Sequence, residues 1–294
     1  MKVSAPAKIN LCLGVGPVRD DGYHPLATVF QSIGLFDEVR VRPAAEDTLT
    51  VYGDGVDVTD VPQDGRNLAL QAARLLAAHH GVDEGVEMHI HKRIPVAGGL
   101  AGGSTDAAAA LVACDALWGT RTPRDTLVGL AAELGSDVPF CLVGGTAIGT
   151  GRGELLSPVM TRGTYWWVVV PDDGGLSTPR VYAEFDRLTA ESGTDDPEIP
   201  PSLLSALRAG DVEWLGGSLS NDLQEAALSL RPDLHHLLEE GLEASAHGAL
   251  VSGSGPTTIY LCESRDHAVE VASAFDRRAL VAEAPVPGAR VVTR

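Results

Sequence analysis

A chain of 294 residues has room for about two domains, each with a core of its own, and is too long for a small stapled module. With 22 basic against 40 acidic side chains the net charge is −18, and a surface so acidic repels a phosphate backbone, which sets nucleic acid aside as a partner. The 33 glycines and 18 prolines stay well below the share that marks a low-complexity chain, so glycine here punctuates a globular protein.

In chain order, an N-terminal strand is expected to begin near Lys8 in Ala5-Pro6-Ala7-Lys8-Ile9-Asn10-Leu11. A helix is expected over Asn67 to His80, closed by Gly81. Val86, Met88 and Ile90 alternate with polar residues as a half-buried strand does. The glycine-rich stretch Pro95 to Gly103 comes next, then Ser104-Thr105-Asp106, then an apolar helix from Ala107 to Trp118 stopped at Gly119. Thr122 reads as the cap of another helix with Pro123 at its first position, ending at Gly135.

After a turn-rich stretch from Gly149 to Gly163, Tyr165 to Pro171 reads as a buried strand opening a second half, with the boundary near Ser157. Thr178-Pro179 starts a helix through Phe185. Asp186 to Pro201 reads as a surface loop, and short helices fill Ser202 to Ala246. Strands Ala249 to Ser252 and Thr257 to Cys262 flank the loop Gly253-Ser254-Gly255-Pro256, and a helix capped by Ser264 runs from Arg265 to Phe275. Strands and helices mix without regular alternation, which indicates an α+β fold.

Cys12, Cys114, Cys141 and Cys262 form no CxxC pair and no dense disulfide framework, which fits a reducing cytoplasm. The N-terminus has no apolar h-region and the chain no span of membrane length, so neither an export signal nor a membrane partner is expected. Cations are overwhelmingly arginine; Lys2, Lys8 and Lys92 are the three lysines.

Strand, glycine loop and helix N-terminus in succession suit an anion. Glycines let backbone N–H groups approach a phosphate, and the helix turns the positive end of its dipole to the same place. Gly98 to Asp106 is neither a Walker A loop, having no Gly-Lys-Ser/Thr, nor a dinucleotide fingerprint, since Leu100 stands where the second Gly is needed. Taken alone, a tight structural turn stays open as its reading. So does a solvated charge for Lys8 and a turn residue for Asp137 in Ser136-Asp137-Val138-Pro139-Phe140. His89 and His91 share the outer face of one strand and read as an exposed pair rather than metal ligands. Gly102-Gly103-Ser104-Thr105-Asp106 lacks the last Gly of a nucleophile elbow, which disfavours a serine hydrolase. Trp166-Trp167 reads as core.

Taken together, Ala5 to Leu13, Pro95 to Ala108 and Val251-Ser252-Gly253-Ser254-Gly255-Pro256-Thr257 resemble the GHMP small-molecule kinase superfamily. Asp21-Gly22-Tyr23-His24-Pro25-Leu26, Gly135 to Phe140 and Ser220-Asn221-Asp222-Leu223 are most similar to its branch that phosphorylates a cytidine diphosphate-linked methylerythritol in non-mevalonate isoprenoid synthesis. The resemblance covers almost the whole chain. It implies a two-domain fold, residues 1–157 and 158–294, with an N-terminal half like ribosomal protein S5 domain 2, a ferredoxin-like C-terminal half and the active site in the cleft between them.

It also implies ATP as cosubstrate, with the phosphates cradled by Pro95, Val96, Ala97, Gly98, Gly99, Leu100, Ala101, Gly102, Gly103, Ser104 and Thr105. Ser104 or Thr105 would reach Mg²⁺, and no carboxylate metal ligand is assigned. Asp137 would be the general base beside Lys8, and Asn10 would orient substrate. Tyr23 and Tyr182 would stack on the pyrimidine while His24 bonds its edge, and Gly253-Ser254-Gly255 would close over the phosphates. Ala97 and Ala101 stand where many members have Gly, so left-handed backbone is expected at Gly98, Gly99, Gly102 or Gly103 instead. The chain is expected to be a monomer or weak homodimer. Two competing readings are a superfamily kinase acting on homoserine, a mevalonate or a sugar, which would have no use for Tyr23, His24 and Tyr182, and a silent nucleotide-binding protein, which would have no use for Lys8 with Asp137.

Overall fold

The computed structural model describes residues 1–96, 98–172, 174–191, 193 and 195–292. Two sheets organise it. The larger runs β12 (Arg290–Val291), β1 (Lys2–Val15), β2 (Leu26–Ala44), β4 (Gly85–Lys92), β3 (Thr48–Gly53). The N-terminal half of β2 also pairs with β5 (Thr146–Thr150), which pairs with β6 (Leu155–Pro158), and β8 (Ser220–Asn221) lies parallel to β1. The smaller sheet is antiparallel, ordered β11 (Leu280–Ala284), β7 (Tyr165–Val170), β10 (Thr258–Cys262), β9 (Gly248–Val251). The expected α+β class holds.

Among the described residues, three large cores result from the period-two alternation of these strands, beside a small cluster of Phe30, Phe140 and Ala147. The first lies between the larger sheet and α1 (Leu68–His80), α2 (Gly102–Trp118), α3 (Arg124–Leu134) and α4 (Val138–Val143). The second lies between the two sheets. Tyr165, Trp167 and Val169 of β7 and Ile259 and Leu261 of β10 face it, with Ala7, Ile9 and Leu11 of β1. The intervening residues Val168, Val170, Tyr260 and Cys262 face the third core, under α5 (Thr178–Thr189), α8 (Gln224–Leu230), α9 (Asp233–Glu243) and α10 (Arg265–Ser273). Trp167 is core as expected and donates from its indole to Gln31 Oε1 at 3.0 Å across the sheets, while Trp166 is half-buried.

Several expectations need correction. The first strand starts at Lys2, so Lys8 lies mid-strand, between two register shifts at Pro6/Ala7 and Asn10/Cys12. The 19-residue β2 carries no clean alternation, because buried Gln31 and Ser32 interrupt its apolar positions and are satisfied by partners distant in sequence. The glycine-loop helix begins at Gly102, five residues before the apolar run, since its first-turn N–H groups need no helical partner. Pro123 stands at the N-cap of α3, not its first position, and Thr122 instead donates to Asp115 from both its N–H and its hydroxyl. The helix at Thr178 continues past Phe185 to Thr189, which moves Asp186 out of the expected surface loop and onto a helix face.

Gly241 of α9 packs so closely on Tyr260 that an added Cβ would lie 2.2 Å from the ring, and the Tyr260 hydroxyl donates to Leu237 O at 2.6 Å. Gly241→Ala is expected to destabilise the third core by about 1–3 kcal/mol, as overpacking does. A Tm equal to that of the wild type would contradict this packing.

Candidate active site

Lys8 and Asn10 alternate with Ile9 on β1, so both point away from the inter-sheet core into a cavity of about 860 Å³. The Lys8 ammonium donates to Asn10 Oδ1 at 2.8 Å, and Asn10 donates to Thr28 Oγ1 at 2.8 Å, which in turn donates to Cys12 O. This chain fixes a nearly buried lysine in one direction. Asp137, at the N-cap of α4, makes no capping bond with its side chain; its Oδ2 lies 3.6 Å from Lys8 Nζ. That separation is too long for a direct hydrogen bond and leaves both groups able to engage a third oxygen.

The glycine loop borders the same space. Gly98, Gly99, Ala101, Gly102, Gly103 and Ser104 line the cavity. Pro95, Val96, Leu100 and Thr105 do not: Leu100 is core, and Thr105 is fully buried with its hydroxyl donating to Pro6 O at 3.0 Å. Of the two hydroxyls assigned toward a metal, Ser104 is therefore the one that faces the cavity. Ala97 lies outside the described residues. The second glycine loop seats against the first. Ser252 donates to Gly99 O at 3.3 Å, and a Cβ on Gly99, at φ +75°, would lie 2.2 Å from Ser252 O. Gly253, Ser254 and Gly255 line the cavity, with Gly253 close over Asn10 and Lys8.

Gly99 has positive φ, as expected, but Ala101 does too, against expectation: it is itself the N-cap of α2, with φ 58° and ψ 32°. The loop thus tolerates strain that glycine would relieve.

The other end of the cavity is aromatic. On α5, Thr178, Pro179, Tyr182, Ala183 and Asp186 recur at helical spacing along one cavity-lining face. The Tyr182 ring lies 5.1 Å from that of His24, and burial pushes its phenol up to about 12, so it presents a neutral ring. His24 Nδ1 is 2.8 Å from Gly16 O, which can only accept, so Nδ1 carries the proton and Nε2 is left facing Asp186 at 3.4 Å. Tyr23 is 52% exposed at the rim, and the Arg152 guanidinium covers one face of its ring at 3.9 Å.

Three contributors have a role here that was not read from the sequence. Arg152 is one. Asn221 is a second: it donates to Val251 O and Gly253 O at 2.8 and 2.7 Å and so holds the second glycine loop. Its place in Ser220-Asn221-Asp222-Leu223 was legible, but not its task. The third is the buried triad of Lys92, Asp37 and Asp106. Lys92 Nζ meets Asp37 at 2.5 Å, Asp106 at 2.8 Å and Gly102 O at 3.1 Å, tying the start of α2 to β2 and β4. Asp37 also accepts from the N–H groups of Arg93 and Ile94. Burial opposes the charge on Lys92, but Asp106 and Asp37 together hold it above the usual lysine range. Burial, opposed by Lys92 and reinforced by Asp37, raises Asp106 well above the usual carboxylate range, and its Oδ1 has no partner. His89 pairs with Glu87 at 2.8 Å and stacks with His91 around Tyr52, as an outer-face pair would.

Comparison with known proteins fits this geometry. The family model for the GHMP kinases N terminal domain matches residues 67–145 and that for the GHMP kinases C terminal matches 203–282. The chain belongs to the GHMP kinase family. It is 54% identical over 294 residues to a 4-diphosphocytidyl-2-C-methyl-D-erythritol kinase of Nocardioides sp. (strain ATCC BAA-499 / JS614), spanning 98% of this chain and 99% of the relative. A protein of that name from Thermobifida fusca (strain YX) is 56% identical over 301 residues, spanning 99% and 97%. A crystal structure of 4-(cytidine 5'-diphospho)-2C-methyl-D-erythritol kinase superposes with TM-score 0.80 at 34% identity over 97% of this chain and all of that one. A homoserine kinase from Cytophaga hutchinsonii, at 19% identity and TM-score 0.71 over 99% and 97%, shares the fold. The chain is thus a two-domain GHMP small-molecule kinase that uses ATP.

Ala101→Gly is expected to stabilise the protein by ~0.5–1 kcal/mol, the left-handed penalty less the entropy glycine adds, read as a higher Tm. Because burial raises the Asp106 carboxyl, the folded chain holds that proton to higher pH than the unfolded chain does, so stability falls as pH rises above the ordinary carboxylate range. Asp106→Asn cannot titrate and should flatten the fall in Tm between about pH 5 and about pH 9. An undiminished slope in this variant would place the titrating group elsewhere.

Proposed function

We propose that the chain transfers the γ-phosphoryl group of ATP to the 2-hydroxyl of 4-diphosphocytidyl-2-C-methyl-D-erythritol, giving the 2-phosphate and ADP in non-mevalonate isoprenoid synthesis. The observation that carries the reading is that one cavity holds Lys8 with Asp137, both glycine loops and the Tyr23, His24 and Tyr182 cluster. A homoserine or mevalonate kinase has no base to receive that cluster.

Phosphoryl transfer depends mainly on positioning and on offsetting charge. The backbone N–H groups from Gly98 to Ser104, at the positive end of the 17-residue α2, receive the ATP phosphates. Asp137 takes the proton of the 2-hydroxyl as its oxygen attacks the γ-phosphorus, and the bond to the β–γ bridging oxygen breaks to release ADP. Lys8, held by Asn10, offsets negative charge on the attacking oxygen and on the moving phosphoryl group. Arginine there would misfit, because the site holds a compact ammonium on a fixed stem.

Mg²⁺ prefers phosphate oxygens and water with one or two protein oxygens, and the Ser104 hydroxyl in the cavity is a compatible donor. When bound, the ion would neutralise phosphate charge. At the cytidine end, Tyr182 and the free face of Tyr23 offer stacking surfaces worth ~1–3 kcal/mol per base. With Nδ1 protonated by its bond to Gly16, His24 Nε2 is an acceptor for the exocyclic amine of cytosine.

We further take the chain as two domains, 1–157 and 158–294, acting as a monomer or weak homodimer. A reducing cytoplasm accords with four buried free cysteines, whose thiols burial pushes up to about 12. No helix among the described residues is long and apolar enough to cross a membrane.

ADP release should be measured with Mg-ATP and 4-diphosphocytidyl-2-C-methylerythritol beside homoserine and mevalonate. Turnover is expected on the cytidylyl alcohol alone, and Asp137→Asn should lower kcat by ~10²–10⁴-fold. Turnover on another alcohol would overturn the substrate; ATP binding without any turnover would favour a silent nucleotide-binding protein.

A further inference from the structure

Away from the cavity, His247, Glu263 and His267 meet at one end of the smaller sheet, and none of the three lines the active site. Each offers a ligand atom within 4.8 Å of the other two. We propose that they form a binding site for a divalent transition-metal ion of zinc type, which ties the β9–β10 pair to the start of α10.

The backbone fixes all three positions. The His247 N–H donates to Leu261 O at 2.8 Å, continuing the β9–β10 ladder by one residue, and so sets His247 beside the end of β10. Glu263 directly succeeds β10. The His267 N–H donates to Ser264 Oγ at 3.1 Å, the side-chain cap of α10, which fixes the first turn of that helix next to Glu263. The two imidazoles meet edge to face, 5.5 Å between centroids.

The side chains are not satisfied among themselves. His247 Nε2 is buried and has no hydrogen-bond partner, and the Glu263 carboxylate beside it stops at 3.6 Å, beyond a hydrogen bond. His267 Nδ1 accepts from the Glu263 N–H at 3.3 Å, a long bond that a metal can displace. Zinc–nitrogen and zinc–oxygen bonds of ~2.0–2.2 Å place neighbouring ligand atoms of a tetrahedron ~3.3–3.5 Å apart. The His247–Glu263 separation is already close to that span. Glu263 is 67% exposed, so its rotation can close the remainder without moving backbone. Two imidazoles and one carboxylate, with water in the fourth position, suit zinc better than the all-oxygen shell of magnesium or calcium. The carboxylate offsets part of the charge of the cation, and the net charge of −18 draws cations to the surface.

The competing occupant is a proton: a charged His247 could pair with Glu263 without any metal. Calorimetric titration of the untagged, chelator-stripped full chain with Zn²⁺ distinguishes the two, alongside His267→Ala and Glu263→Gln. The wild type is expected to bind one equivalent that His267→Ala loses and that Glu263→Gln binds ~10-fold more weakly or worse. Co²⁺ in the same site should give the strong visible absorption of a tetrahedral ion, absent in His267→Ala. Saturating Zn²⁺ should raise the wild-type Tm by ~5 °C and leave that of His267→Ala unchanged. Circular dichroism and kinase turnover of His267→Ala, both expected to match the wild type, establish that the variant is folded. Equal Zn²⁺ stoichiometry in wild type and His267→Ala, or no binding by the wild type at ~100 μM Zn²⁺, would overturn the proposal.

Discussion

A single buried ammonium holds the glycine-loop end of this kinase in place. Lys92, at the last position of β4, reaches Asp37 on β2, Asp106 on α2 and the carbonyl of Gly102 where α2 begins. Two carboxylates around one lysine leave an excess negative charge in a dry place, and burial, with Asp37 close by, pushes the titration of Asp106 above the usual carboxylate range. The strand that delivers the glycine loop and the helix that receives it are thus joined at the point where they diverge. Ala101 can stay left-handed because the first turn of α2, directly behind it, is anchored.

From that anchor the rest of the site is assembled by contact between loops. The first glycine loop lies against Ser252, and the second is held by Asn221, so each loop limits the other. Lys8 and Asn10 project between them from β1, and α4 supplies Asp137 from the opposite side. An acidic protein that handles two anionic ligands must create positive potential locally. It does so with a helix terminus, one lysine and Arg152 at the rim, over distances short enough that the distant acidic surface is screened.

Much of this was legible in the sequence, where local chemistry dictates structure. The cap Ser264 acts through neighbours a few residues away and stands as read. The glycine loop before α2 stands as a feature, though the helix starts earlier and Lys8 lies mid-strand, not at a strand start. Long-range partners were not legible. Nothing near Gln31 indicates that Trp167 will satisfy it, so β2 lacked a readable alternation. Nothing near Thr105 indicates that its hydroxyl turns to Pro6 instead of the phosphates. Arg152 comes to Tyr23 from much later in the sequence, and the titration of Asp106 is raised by burial and by Asp37 of β2, neither of which its neighbours in sequence reveal.

β1 is gripped at both ends by segments that come late in the chain: β12 pairs at Val3 and Ser4, and β8 at Cys12 and Leu13. Between these grips lie Lys8 and Asn10. The strand that carries them is therefore a shared beam, and the late segments cannot swing away from it without tearing main-chain hydrogen bonds. The exposed part of the lining is the connection between β1 and β2 that carries Tyr23, whereas the floor under Lys8 and Asn10 is buried main chain held on both flanks.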